Sequence, residues 1–77
     1  MKAHQFTVVI EPDEGAFHAY APALAGCHTF GATVEEAQKN IAEAIALHVE
    51  SMLEDGEPIP IEHEPLFITR LSVAVRA

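Results

Sequence analysis

A chain of 77 residues with 12 acidic and 4 basic side chains, net −8, has room for one small domain. That balance opposes direct binding to phosphate backbones, which needs clustered Lys and Arg, and it favours a cationic partner, such as a basic protein. A single cysteine excludes an internal disulfide, and no apolar run reaches the roughly 18 residues of a membrane span. The opening "MKAHQFTVVI" also has too short an apolar run for a signal peptide, so a soluble cytoplasmic protein is expected.

In chain order, "HQFTVVIE" reads as a strand with Phe6, Val8 and Ile10 on one face and Thr7 and Val9 on the other. "PDEG" reads as a turn, with φ preset by Pro12 and a positive φ at Gly15. "AFHAYA" is the returning strand. A short loop is bracketed by Pro22 and Gly26, and "CHTF" is a third strand ended by Gly31. Thr33-Val34-Glu35-Glu36 forms a capping box in which Glu36 bonds back to the Thr33 backbone N–H. The helix that follows is predicted to run to about Asp55, where Gly56 stops it and Pro58 prevents a restart. Val34, Ile41, Ile45, Val49 and Met52 share its core face. "PIPIEHEP", residues 58–65, is a rigid acidic connection. "LFITRLSVAV" is a last strand with Phe67, Leu71, Val73 and Val75 on one side. The order is β-β-β-α-β, an α+β fold with one long helix on one face of an antiparallel sheet.

Candidate chemistry is sparse. Cys27 and His28 are adjacent in a strand, so they point to opposite faces and cannot grip one metal ion together. If the second and third strands pair around Ala23-Leu24, His18 and His28 share a face; with Tyr20 that is not a recognisable ligand set. Cys27 reads as a small buried hydrophobe, with no oriented base to activate it. Glu11 is the only strand carboxylate, and Asp13 and Glu14 sit at a turn tip, so converging catalytic acids are lacking. No enzyme activity, metal or cofactor is expected.

The helix's outer face is more informative. Glu36, Glu43 and Glu50 recur every seven residues, Glu54 follows four later, and Leu47 falls in the same stripe. A solvated acidic face is one reading; an anionic strip with an apolar anchor for a basic partner is the other. At 1.5 Å per residue the helix is about 33 Å long and outruns strands of about 20 Å. Met52 and Leu53, with the apolar Phe67 strand, are therefore expected to seek cover from a second subunit, as a dimer or tetramer.

The strand ending in "E-x-D-E-G", the run "Y-A-P-A-L-A-G-C-H-T-F-G-A-T-V-E-E-A-Q-K-N-I-A-E-A-I" and "E-D-G-E-P-I-P" together resemble the HicB-like antitoxin domain, from about Val8 to Pro60. The resemblance implies a single domain over residues 1–77 with a reduced ribonuclease H-like fold that lacks the catalytic carboxylates. It also implies self-association and direct neutralisation of HicA, a small basic messenger-RNA ribonuclease with a double-stranded-RNA-binding-like fold. Pro22, Gly26, Cys27, Gly31, Thr33, Glu36, Ala37, Gly56 and Pro60 are then scaffold positions of the family motif. The partner surface is assigned to Glu36, Glu43, Leu47, Glu50 and Glu54, and the oligomer contact to Met52, Leu53 and Phe67. Many such proteins add a C-terminal DNA-binding module. Here the 17 residues after Pro60 are too few and not basic, so no direct DNA binding is expected of this chain. The alternative function is an orphan oligomeric domain of the same kind, binding another protein or a small ligand without antitoxin activity.

Overall fold

The computed structural model of the protein describes residues 4–62 and 67–76. Three strands and a helix are formed: β1 Val9–Asp13, β2 Ala16–Tyr20, β3 His28–Gly31 and α1 Val34–Glu54. The sheet is antiparallel in the order β1-β2-β3. Ala19, Ala21, Leu24, Cys27, Ala37 and Ile41 form the buried core, with Phe6, Val8, Ile10, Phe17, Ile45, Val49 and Met52 packed against it.

The first hairpin differs from the expected turn. Asp13 pairs with Ala16, which leaves Glu14 and Gly15 as a two-residue loop with φ of 48° and 85°. Positive φ at both central residues is the type I′ arrangement, whose twist matches that of the flanking strands. Pro12 is therefore not a turn residue; it lies inside β1 opposite Phe17. An edge strand tolerates proline because the missing N–H faces no partner.

Between β2 and β3 the chain makes two hydrogen-bonded turns. Leu24 N–H donates to Ala21 C=O (3.0 Å) and Cys27 N–H to Leu24 C=O (3.1 Å). Gly26, at the third position of the second turn, has a φ of 78°, the positive value that a type II turn requires there. Ala21 N–H closes the loop on Cys27 C=O at 3.1 Å. Leu24 and Cys27 are thereby turned inward beneath the sheet.

The helix is set against β3 by its first turn. Thr33 is the N-cap, and its Oγ1 accepts from Glu36 N–H at 3.0 Å. The return bond of the capping box goes one residue earlier than expected: Glu36 Oε1 accepts from Ala32 N–H at 3.1 Å. Asn40 Nδ2 donates to Phe30 C=O at 2.8 Å and pins the second turn to the strand. At the other end Gly56, with φ 70°, and Glu57 return their N–H groups to Leu53 and Met52 C=O, a Schellman closure. Ile41, Ile45, Val49 and Met52 face the sheet as expected, but Val34 is 41% exposed. It stands at the first helical position, before the helix has crossed over the sheet.

After the helix the chain returns to the start of the molecule. Glu62 accepts from the Thr7 hydroxyl and from Thr7 N–H, both at 2.6 Å, across 55 residues of sequence. These bonds hold the Glu62 carboxyl below its ordinary range, the hydroxyl contributing most. Of the 58–65 connection, residues 63–65 lie outside the described residues, as do Leu66, Lys2 and Ala77.

The expected last strand is the main correction. Residues 67–76 pair with no strand among the described residues, and every one of them is exposed. Alternating apolar residues supply a face; a strand exists only where a neighbouring backbone takes up its N–H and C=O groups.

Candidate functional site

Three surfaces carry the residues that sequence reasoning singles out. The first is the outer side of α1. Glu36, Glu43, Leu47, Glu50 and Glu54 are all exposed along it, and Leu47 is 68% accessible in their midst. The five do not play equal parts. The Glu36 carboxylate is engaged at the helix start by Ala32 N–H, so its charge serves the cap. Glu43, Glu50 and Glu54 have no such bond among the described residues. No basic residue stands in the last turn, where Glu54 and the C-cap Asp55 lie near the negative end of the helix dipole. Acids there disfavour the helix by about 0.3–1 kcal/mol each.

The second surface is the side of the sheet that α1 leaves uncovered. Register places Glu11 opposite His18, His18 opposite Phe30, and Tyr20 opposite His28. His18 lies between a carboxylate and a second imidazole. Its Nδ1 is 3.2 Å from Glu11 Oε1 and its Nε2 is 3.3 Å from His28 Nδ1. The His18 ring also stacks on Tyr20 and tilts against Phe30, with centroids 5.4 and 4.9 Å away. The pairing of the two histidines follows from a β2–β3 register centred on Leu24, close to the one expected. Phe30 and Glu11 as their neighbours were missed, although the alternation Glu11, His18, Tyr20, His28, Phe30 on outward positions was the available signal. Beside this cluster lies an open depression of about 430 Å³ lined by His18, Tyr20, Pro22, Leu24, Gly26 and His28. Among the described residues no group of three His, Cys, Asp or Glu is arranged to hold a metal ion.

The third is the Cys27-His28 pair. Its members separate as strand geometry demands: Cys27 is buried in the core and His28 is exposed on the opposite face. Burial pushes the Cys27 thiol up, so it stays protonated at neutral pH and is a poor nucleophile. Cys27→Ser places a hydroxyl in an apolar cluster and is expected to cost about 1–2 kcal/mol. Urea denaturation should show a lower midpoint at unchanged slope. Stoichiometric zinc in the purified protein, lost in this variant, would contradict a purely structural thiol.

The expected oligomer residues are also placed. Met52 packs against the core of its own chain, whereas Leu53 is 62% exposed. Phe67 projects fully into solvent. No helix among the described residues is long and apolar enough to cross a membrane.

Comparison with known proteins agrees with the resemblance read from the sequence. Residues 6–71 match the family model described as HicB_like antitoxin of bacterial toxin-antitoxin system. The UPF0150 protein ssr1765 of Synechocystis is 42% identical over 73 residues, 94% of this chain and 90% of the relative. The UPF0150 protein Ta0767 of Thermoplasma acidophilum is 44% identical over 57 residues, 73% of this chain and 83% of the relative. The crystal structure of the N-terminal domain of Burkholderia pseudomallei antitoxin HicB superposes with a TM-score of 0.68 at 33% identity, covering 78% of this chain and 72% of that one. A chain of the HicA3 and HicB3 toxin-antitoxin complex gives a TM-score of 0.65 at 30% identity, covering 78% and 70%.

Proposed function

The chain belongs to the HicB-like antitoxin family of bacterial toxin–antitoxin systems, and from that premise we propose that it is a protein-binding module, not an enzyme, that neutralises a HicA-like messenger-RNA ribonuclease by direct binding. It acts in the cytoplasm as one domain over residues 1–77, self-associates as a dimer or tetramer, and requires no cofactor. It does not itself bind DNA. Membership and the likeness to a chain of a toxin–antitoxin complex support an antitoxin role.

The observation that carries the finer reading is the strip on α1. It is the longest ordered acidic array on a rigid element of the described chain, with Leu47 exposed in its centre. Its acids persist toward the helix C-terminus, where the dipole disfavours them. A helix selected only as scaffold gains stability from Lys at those places. An RNA-cleaving partner carries positive charge where it contacts RNA, and a matching anionic strip speeds its capture. Leu47 supplies the small apolar anchor that resists release.

The test uses Glu43 and Glu50, because reversing Glu36 would also remove a cap. The double variant Glu43→Lys, Glu50→Lys should slow association with the cognate HicA-like protein roughly tenfold at low salt and flatten its salt dependence. Leu47→Asp should raise the dissociation rate by a factor on the order of thirty, equivalent to about 2 kcal/mol. Neither change touches the core, so circular dichroism should be unchanged. Wild-type inhibition of RNA cleavage by both variants would remove the strip and move the contact to the sheet or the 58–65 connection.

A second reading rests on a different observation. The histidine–aromatic cluster and its depression form a shaped surface that antitoxin action by α1 leaves unused. That surface suits an orphan oligomeric domain of this family that binds another protein or a small ligand. An absence of any HicA-like reading frame in the genome would favour it.

A further inference from the structure

The apolar arm at residues 67–75 and the open edge of β1 have complementary character. Phe67, Leu71, Val73 and Val75 alternate along the arm and are 86, 82, 74 and 83% exposed. So concentrated an apolar run, with its backbone unpaired, is a template for strand addition and does not persist uncovered in a soluble protein. The arm lies off the body of its own chain. The radius of gyration is 15.2 Å, against about 11–12 Å for a compact chain of this length.

β1 has a vacant edge of matching character. It pairs only with β2 among the described residues. The two-residue loop makes Asp13 and Ala16 a hydrogen-bonded pair, so the alternate residues Ile10 and Val8 turn their N–H and C=O groups away from β2. Along this edge runs an apolar groove of about 410 Å³ between β1 and the helix, lined by Phe6, Val8, Ile10, Ile41, Ala42 and Ile45. On the β3 side the outward-turned Phe30 C=O is already taken by Asn40 Nδ2 at 2.8 Å.

Charge selects the occupant. Residues 67–76 contain Arg70 and Arg76 and no acid, a net of +2, whereas the whole chain is −8, so the remainder carries −10 (−8 minus +2). Both arginines fall on the arm's even-numbered side. When Phe67, Leu71, Val73 and Val75 cover the groove, that side faces the outward row of β1, where Glu11 and Asp13 stand. A cationic, apolar strand fits this acidic domain.

We infer that residues 67–75 of one copy add as a fourth strand to the β1 edge of a second copy, reciprocally, giving a two-fold dimer in which each arm covers its partner's groove. This rests on the self-association proposed above and names its contact. Nine residues span about 30 Å at 3.3 Å each, more than enough to follow the edge from Phe6 to Glu11, stopping short of Pro12, which has no N–H to give a neighbour.

Light scattering and amide hydrogen exchange on the full chain test it. The wild type should have the mass of a dimer at micromolar concentration, with the Val8 and Ile10 amides protected. The variant Leu71→Asp, Val73→Asp should have the mass of a monomer, lose that protection and keep its helical circular dichroism, since Leu71 and Val73 are 82 and 74% exposed on their own chain. Leu53→Asp should remain a dimer. A dimer that survives Leu71→Asp, Val73→Asp overturns the arm as the contact while sparing self-association. A monomeric wild type overturns both. A monomer with protected Val8 and Ile10 amides would instead place each arm on its own edge, and the exchange between copies would be wrong.

Discussion

Replacing Gly31 with alanine is expected to be among the most destabilising single substitutions in this protein. The added Cβ would lie 2.7 Å from Ala37 Cα and 2.9 Å from the Glu36 carbonyl carbon, and closer still to the Ala37 amide nitrogen. All three are backbone atoms of the first helical turn, so no side chain can rotate away. Relief requires lifting α1 from β3. That movement strains the Asn40 bond to Phe30 and opens the sites of Ala37 and Ile41. Overpacking ordinarily costs about 1–3 kcal/mol, and a clash with fixed backbone belongs at or above the top of that range. A chain of this length has roughly 4–12 kcal/mol in total. At about 4–8 °C per kcal/mol, the melting temperature should fall by on the order of 15 °C or more. A melt within a few degrees of wild type would mean that the helix is not seated on the strand as closely as described.

Ile41→Ala should be nearly as damaging, by the opposite mechanism. Ile41 is the largest fully buried side chain, and it also floors the groove beside β1. Truncation removes its burial and leaves a cavity that the small neighbours Ala19 and Ala37 cannot collapse to fill. The expected cost is about 2–5 kcal/mol, read from the denaturant midpoint. Leu47→Ala, on the same helix but facing solvent, should stay within about 0.5 kcal/mol. Equal effects of the two substitutions would mean that the helix is rotated from the orientation described.

Both predictions draw on features legible in the amino-acid order. The spacing of Ile41, Ile45, Val49 and Met52 identified the buried side of the helix, and Gly31 was legible as the end of the third strand, although its close approach to the first helical turn was not. Thr33 at the start and Gly56 at the end were legible because capping is local chemistry, settled within a few residues. Strand alternation set aside a joint Cys27-His28 metal site, and the lack of an oriented base set aside Cys27 as a nucleophile. The same local logic misassigned Pro12. A turn at "PDEG" and a strand through Pro12 with a tighter loop have nearly the same composition, and only pairing with Phe17 distinguishes them.

What the amino-acid order determined by itself was periodicity and punctuation: which residues share a face, where the helix begins and ends, and which stripe of it is acidic. Those properties follow from bond geometry within one or two turns of chain, so they need no knowledge of neighbours. Tertiary structure decided everything that depends on a partner. It brought Glu11, His18 and His28 together through strand register, pinned Asn40 to Phe30, and carried Glu62 back to Thr7. It also left residues 67–76 without a ladder, although their alternation is as regular as that of β1. An alternating sequence states which side of a strand is apolar; whether there is a strand at all rests on another backbone lying about 4.7–4.9 Å away, and no local pattern encodes that distance.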